Sequence, residues 1–160
     1  MPIMRTTETH APLYLFLIVF VLVNGGKNRW WWLLFAIVVV SLSDVISSRL
    51  IKENIQRLRP CNDPTLNPPA RFLLNYRPQS SSFTSSHAFN HFAQAAFFAI
   101  TLKKYFKKWS SLFYLWAACI GYAQIYVGVH FPLDVVTGGT FGFLFGYLCA
   151  RLFNKNYELS

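Results

Sequence analysis

The stretch YVGVHFPLDVVTGG, residues 126–139, sets His130 and Asp134 four apart at the entrance of a long apolar run. An imidazole whose tautomer a neighbouring carboxylate fixes can serve as a nucleophile. Asp134 also has a purely structural reading. Pro132 suits the first turn of a helix, and an acid in that turn complements the positive end of the helix dipole. That reading leaves His130 unexplained.

Two further clusters carry ionisable groups. KENIQRLRP, residues 52–60, places Lys52 and Arg59 seven apart, which on a helix is two turns and one face. Two cations on one face suit a phosphate, which takes several charge-assisted donors. SSFTSSHAFNH, residues 81–91, opens another apolar run. A serine-rich start is an ordinary N-cap signal, and free N–H groups at a helix start make an anion site. His87, in the first turns, is placed to donate a proton to a leaving oxygen. His91 follows one turn later, a spacing that metal ligands also use. The motif lacks the glutamate of H-E-x-x-H, so His91 reads as a polar contact inside a helical bundle.

The elements that must position these groups read as membrane helices. Of the 160 residues, 54% are hydrophobic and 13% charged, against about 25% charged in soluble domains. The apolar runs predict spans over about 11–26, 30–51, 83–102, 109–129 and 132–150, with a loop over 52–82. Most approach the roughly 20 residues a helix needs to cross a bilayer. The predicted fold is all-α, a polytopic transmembrane bundle of about five spans in a single domain, residues 1–160. Cys61, Cys119 and Cys149 show no metal spacing, and disulfides have no part in the reading.

The net charge of +9 is unevenly placed. Lys27 and Arg29, Lys103 to Lys108, and Arg151 with Lys155 fall on one side of a five-span bundle, which the positive-inside rule makes cytoplasmic. The opposite side nevertheless holds Arg49, Lys52, Arg57, Arg59, Arg71 and Arg77. Topology does not call for cations there. They either touch lipid headgroups or bind an anion, unless the orientation is inverted. Pro60, Pro64, Pro68, Pro69 and Pro78 make this stretch a structured or extended loop.

Together the clusters resemble the type 2 phosphatidic acid phosphatase superfamily of membrane lipid phosphatases, over residues 40–150. Its first motif, K-x6-R-P, matches at Lys52, Arg59 and Pro60. Its second, P-S-G-H, stands here as TSSH, with Ser85 and His87 matching and Thr84 and Ser86 departing. Its third, S-R-x5-H-x3-D, keeps His130 and Asp134, while Ala123 and Gln124 stand where the family has Ser and Arg.

The resemblance implies a two-step displacement needing no metal or other cofactor. His130 would attack phosphorus, Asp134 would orient its ring, and His87 would protonate the leaving lipid oxygen and then activate water. Lys52, Arg59 and the N–H groups around Ser85 and Ser86 would hold the phosphoryl oxygens, with Gln124 as a neutral donor in place of the arginine. Hydrogen bonds to charge contribute about 1.5–3 kcal/mol and neutral ones about 0.5–1.5, so the change predicts a slower or differently selective enzyme unless Arg57, Arg71 or Arg77 reaches in.

The implied partners are a lipid phosphate substrate and membrane lipids, not nucleic acid. The implied location is a bacterial inner membrane, with the active site facing the periplasm or cell exterior. The family usually has six membrane helices and this chain offers five, so a further helix is expected before Ala11. Gly138, Gly142 and Gly146 form a small-residue stripe that lets a neighbouring helix approach. Asp44 should face the bundle, paired with Arg49 or Lys52. Two other readings stay open: a lipid-phosphate-binding protein marked by Gln124, and a metal-dependent hydrolase using His87 and His91.

Overall fold

The structure is a computed structural model that describes residues 2–159. After a 3-10 turn at Pro2–Arg5, the helices are α1 (Thr7–Asn24), α2 (Arg29–Val45), α3 (Ser86–Thr101), the single turn α4 (Lys103–Phe106), α5 (Leu112–Tyr126) and α6 (Pro132–Asn156). Five long helices therefore stand where five apolar runs were expected, and the described residues contain no strand. Gly26–Ile51 and Pro132–Asn156 are each long and apolar enough to cross a membrane. The other three are shorter: α3 has 16 residues and α5 has 15, about 24 and 22 Å at roughly 1.5 Å per residue.

α3 is the central helix, packed against α2, α5 and α6. Its Ala93, Phe97 and Phe98 are buried among Trp32, Leu17 and Phe153. The Trp32 indole finds its acceptor in Thr101 Oγ1 at 2.8 Å, so its burial leaves no polar group unpaired. Outside, Ile37 and Leu148 are each 63% exposed and Val136 64%. An apolar surface of this kind fits lipid rather than water.

The glycine stripe on α6 sets the distance to α3. A Cβ at Gly142 would lie 2.1 Å from the Phe89 carbonyl oxygen, and one at Gly146 would lie 2.0 Å from that of Ala93. Backbone therefore packs directly on backbone, as the spacing predicted.

The two ends of the bundle differ. At one, Tyr105 donates to the Asn24 carbonyl at 2.8 Å and Asn28 to that of Glu158 at 3.0 Å. The lysine-rich turn and the chain's C-terminal residues thus meet the α1–α2 connection. At the other end lie the 52–82 loop and the starts of α3 and α6, joined by the Ser85 N–H donating to the Asp134 carbonyl at 3.1 Å.

Candidate active site

α5 ends at Tyr126, and the chain turns back through Gly128, whose φ of +80° favours glycine. A Cβ there would lie 1.9 Å from the Arg71 carbonyl oxygen. This tight turn delivers His130 to the mouth of α6. Three residues into the entry, the fully buried Asp134 carboxylate accepts the Phe131 N–H at 2.9 Å and the Ser82 hydroxyl at 2.5 Å on Oδ2. Arg57 Nη1 donates to its Oδ1 at 2.8 Å. The structural reading of Asp134 as a first-turn acid holds.

His130 Nδ1 lies 3.7 Å from Asp134 Oδ2, too far for a hydrogen bond. The expected orienting bond is thus replaced by a charge at short range, because that oxygen already serves Ser82 and Phe131. The tautomer is set from the other side. Arg59 Nη1 lies 3.2 Å from His130 Nε2, and a guanidinium only donates. Nε2 must then offer its lone pair, and Nδ1 carries the proton facing Asp134. Burial holds the imidazole down to about 4, opposed by Asp134 and aided by the charges of Arg59 and Lys52. His130 is a neutral imidazole with a basic Nε2.

Arg59 is itself buried and donates to the Ser80 carbonyl at 2.8 Å, the Ser80 hydroxyl at 3.0 Å and the Val129 carbonyl at 3.2 Å. The expected helical face shared with Lys52 does not form. α2 widens into a π turn at Ile46–Ile51, and Arg59, preceding Pro60, is extended at φ −80°, ψ 152°. A residue before proline is disfavoured in the helical region, so the chain from Lys52 runs out as a loop. Lys52 still borders a cavity of about 860 Å³ with Arg57, Ser80 and Ser81. Burial first, and then the charge of Arg59, lower its ammonium to about 8.

α3 begins as the serines predicted: Ser85 is its N-cap, its Oγ accepting the Ala88 N–H at 3.4 Å. The Ser86 hydroxyl is buried without a partner among the described residues. His87 lines a second cavity of about 650 Å³. His91 Nδ1 bonds the His87 carbonyl of its own helix at 2.8 Å, and its ring meets His10 of α1 at 5.3 Å and Trp116 of α5 at 5.0 Å, the bundle contact expected of it. Among the described residues, no three His, Cys, Asp or Glu side chains group to hold a metal ion. Asp44 accepts from Asn90 at 3.0 Å rather than pairing with Arg49 or Lys52.

Gln124 is fully buried, and its Oε1 accepts from Arg5 Nε at 2.9 Å. Arg5 was not among the arginines expected there. Arg57 is taken by Asp134, Arg71 lies over the Tyr126 ring at 5.4 Å, and Arg77 lies over Phe72 at 5.2 Å and donates to the Cys61 carbonyl. Ser82 and Arg5 are the residues that the motifs did not point to.

The family model described as PAP2 superfamily matches residues 29–158. A lipid A 4'-phosphatase of Bacteroides thetaiotaomicron is 29% identical over 86% of this chain and 61% of its own length. An undecaprenyl-diphosphatase of Sulfolobus acidocaldarius is 30% identical over 68% of this chain and 49% of its own. The chain thus spans from about half to three-fifths of these relatives. The crystal structure of a transmembrane PAP2-type phosphatidylglycerolphosphate phosphatase from Bacillus subtilis superposes with a TM-score of 0.70. It is 24% identical, and the match covers 97% of this chain and 75% of that one.

Proposed function

The chain belongs to the PAP2 superfamily, and from that premise we propose that it is a membrane phosphatase of lipid phosphates or diphosphates working through a phosphohistidine. The observation that carries the proposal is His130 itself: a buried neutral imidazole whose Nε2 lone pair faces a guanidinium. A base beneath an anion-binding cation is what an attack on a phosphoryl group requires. Arg59 moves from Nε2 onto the phosphoryl oxygens as substrate enters.

In the first step the bond from Nε2 to phosphorus forms and the bond to the lipid oxygen breaks, with His87 giving that oxygen a proton. In the second, a water oxygen attacks phosphorus while His87 takes its proton, the bond to Nε2 breaks, and inorganic phosphate leaves. Lys52, Arg59 and the first-turn N–H groups of Ser86 and His87 stabilise the transferring group; the Ser85 N–H is already committed to Asp134. Asp134 stabilises the positive charge that develops on His130. No metal takes part in either step.

The relatives act, by their names, on lipid A 4'-phosphate and undecaprenyl diphosphate, and a third on phosphatidylglycerophosphate. These and phosphatidate are the substrates to offer. The five long helices span a bacterial inner membrane with the His130 end facing the periplasm or exterior, a reading supported by the lysine-rich turn at the opposite end.

The test is phosphate release by the purified protein in detergent and EDTA, beside His130→Ala. Release that vanishes in the variant is expected. No release from any of these lipids by the unmutated protein would instead favour a lipid-phosphate-binding role.

A further inference from the structure

The segment before α1 carries a residue that the chemistry so far does not use. Arg5 closes the 3-10 turn Pro2–Arg5, which packs on α5. Its place is held by a relay of hydrogen bonds. Trp116 Nε1 can only donate, and it lies 3.2 Å from His10 Nδ1. His10 must therefore accept there and donate from Nε2, which meets the Met4 carbonyl at 3.1 Å. His10 is buried, so one ring pins the peptide that leads into Arg5.

From there the guanidinium reaches Gln124, 119 positions away. Gln124 accepts through Oε1 but leaves its own Nε2 buried and unpartnered among the described residues. Arg5 uses only Nε in this bond. Among the described residues no protein acceptor engages its two terminal nitrogens. Those nitrogens form the fork that binds carboxylate or phosphate oxygens in pairs.

Arg5 and His87 share the walls of the 650 Å³ cavity with Asp44, whose carboxylate accepts from Asn90. Burial holds the Arg59 guanidinium below its usual range, and the positive charge of Arg5 pushes it the same way, so the two guanidinium groups act on each other across the site. Like charges held near one another cost energy that an anion between them would remove.

We propose that Arg5 is a phosphoryl-oxygen clamp that takes the place of the arginine absent from position 124, delivered from the N-terminal segment and aimed by Gln124. Gln124 is then a positioning residue rather than a substrate ligand. The inference rests on the phosphatase reading of the same site and adds one residue and one role to it.

Orthovanadate, a phosphate-like anion, separates the two. Its binding to the purified protein in detergent would be measured with turnover, for the unmutated protein, Arg5→Ala, Arg5→Lys and Arg5→Ala with Gln124→Arg. Arg5→Ala should lose about a hundredfold in kcat/KM, as removal of one transition-state donor does. Its vanadate affinity should fall with it. Arg5→Lys, which keeps the charge without the fork, should fall between. Gln124→Arg in the Arg5→Ala background should regain at least tenfold of both. Unchanged rate and vanadate affinity in Arg5→Ala would overturn the clamp while leaving the phosphatase intact. A loss that Gln124→Arg fails to restore, with a matching fall in thermal stability, would make Arg5 structural and also overturn it. An unmutated protein that neither binds vanadate nor releases phosphate would overturn both readings.

Discussion

His130 is buried among cations, and that decides which of its nitrogens is basic and over what pH range. Held down to about 4, chiefly by burial, it is neutral above that value. Lys52, lowered to about 8 first by burial and then by Arg59, keeps its charge below that value. The proposed mechanism needs a neutral nucleophile, a proton on His87 and a charged clamp. Thus kcat/KM should rise as pH climbs through about 4 and fall as Lys52 discharges past about 8, or earlier as His87 loses its proton. Lys52→Arg keeps the cation at all these pH values. It should move the alkaline limb upward and leave the acid limb in place, as initial rates across pH would show. An alkaline limb that stays put would mean that another group sets it. The motif residues could be read from the sequence because each motif is local: His130 and Asp134 sit four apart at one helix start. Their partners could not. Ser82 and Arg57 reach Asp134 from 52 and 77 positions away, and no spacing in the chain foretells such a pairing.

Between helices, the distance from α3 to α6 sets the distance from His87 to His130. The glycine stripe fixes it, and its spacing of four made it visible in advance. A Cβ at Gly142 would meet the Phe89 backbone at 2.1 Å, whereas one at Gly139 meets only the Phe92 ring, at 3.1 Å. Backbone cannot yield as a ring can. Gly142→Val should therefore cost about 1–3 kcal/mol or more from overpacking and lower activity further by displacing the two histidines. Gly139→Ala should stay close to the unmutated protein in both respects. Thermal unfolding in detergent, read beside phosphate release, compares the two. Equal behaviour would mean that the helices are not held by this contact. Helical periodicity misled at Lys52 and Arg59, because it assumes a helix that Pro60 and the π turn of α2 do not allow. The loop recovers the meeting of charges by folding back, with Arg59 tied to Ser80.

For the molecule in its membrane, the question is which end faces out. Lys103 to Lys108 stand at one end and the His130 cluster at the other. In the proposed orientation, which follows the positive-inside rule, the lysine turn lies in the cytoplasm and the site faces external lipid phosphates. In a variant without native cysteines, Thr65→Cys should react with a membrane-impermeant maleimide in intact cells. Lys108→Cys should react only after the membrane is opened. The reverse pattern would turn the molecule over and put its substrates on the cytoplasmic leaflet. The fold class was legible from apolar runs alone. The N-terminal turn that brings Arg5 to Gln124 was not, since its position depends on the buried His10 relay and on how α1 meets α5.

The proposed mechanism turns on a covalent bond from His130 Nε2 to phosphorus, and trapping that bond is its sharpest test. Protein mixed with a phosphate-labelled lipid and quenched in alkali within one turnover should carry label on His130 that is stable to base and lost in acid. The His130→Ala variant should carry none. Turnover by the unmutated protein with no label on His130 at any quench time, or with label on another residue, would contradict the account.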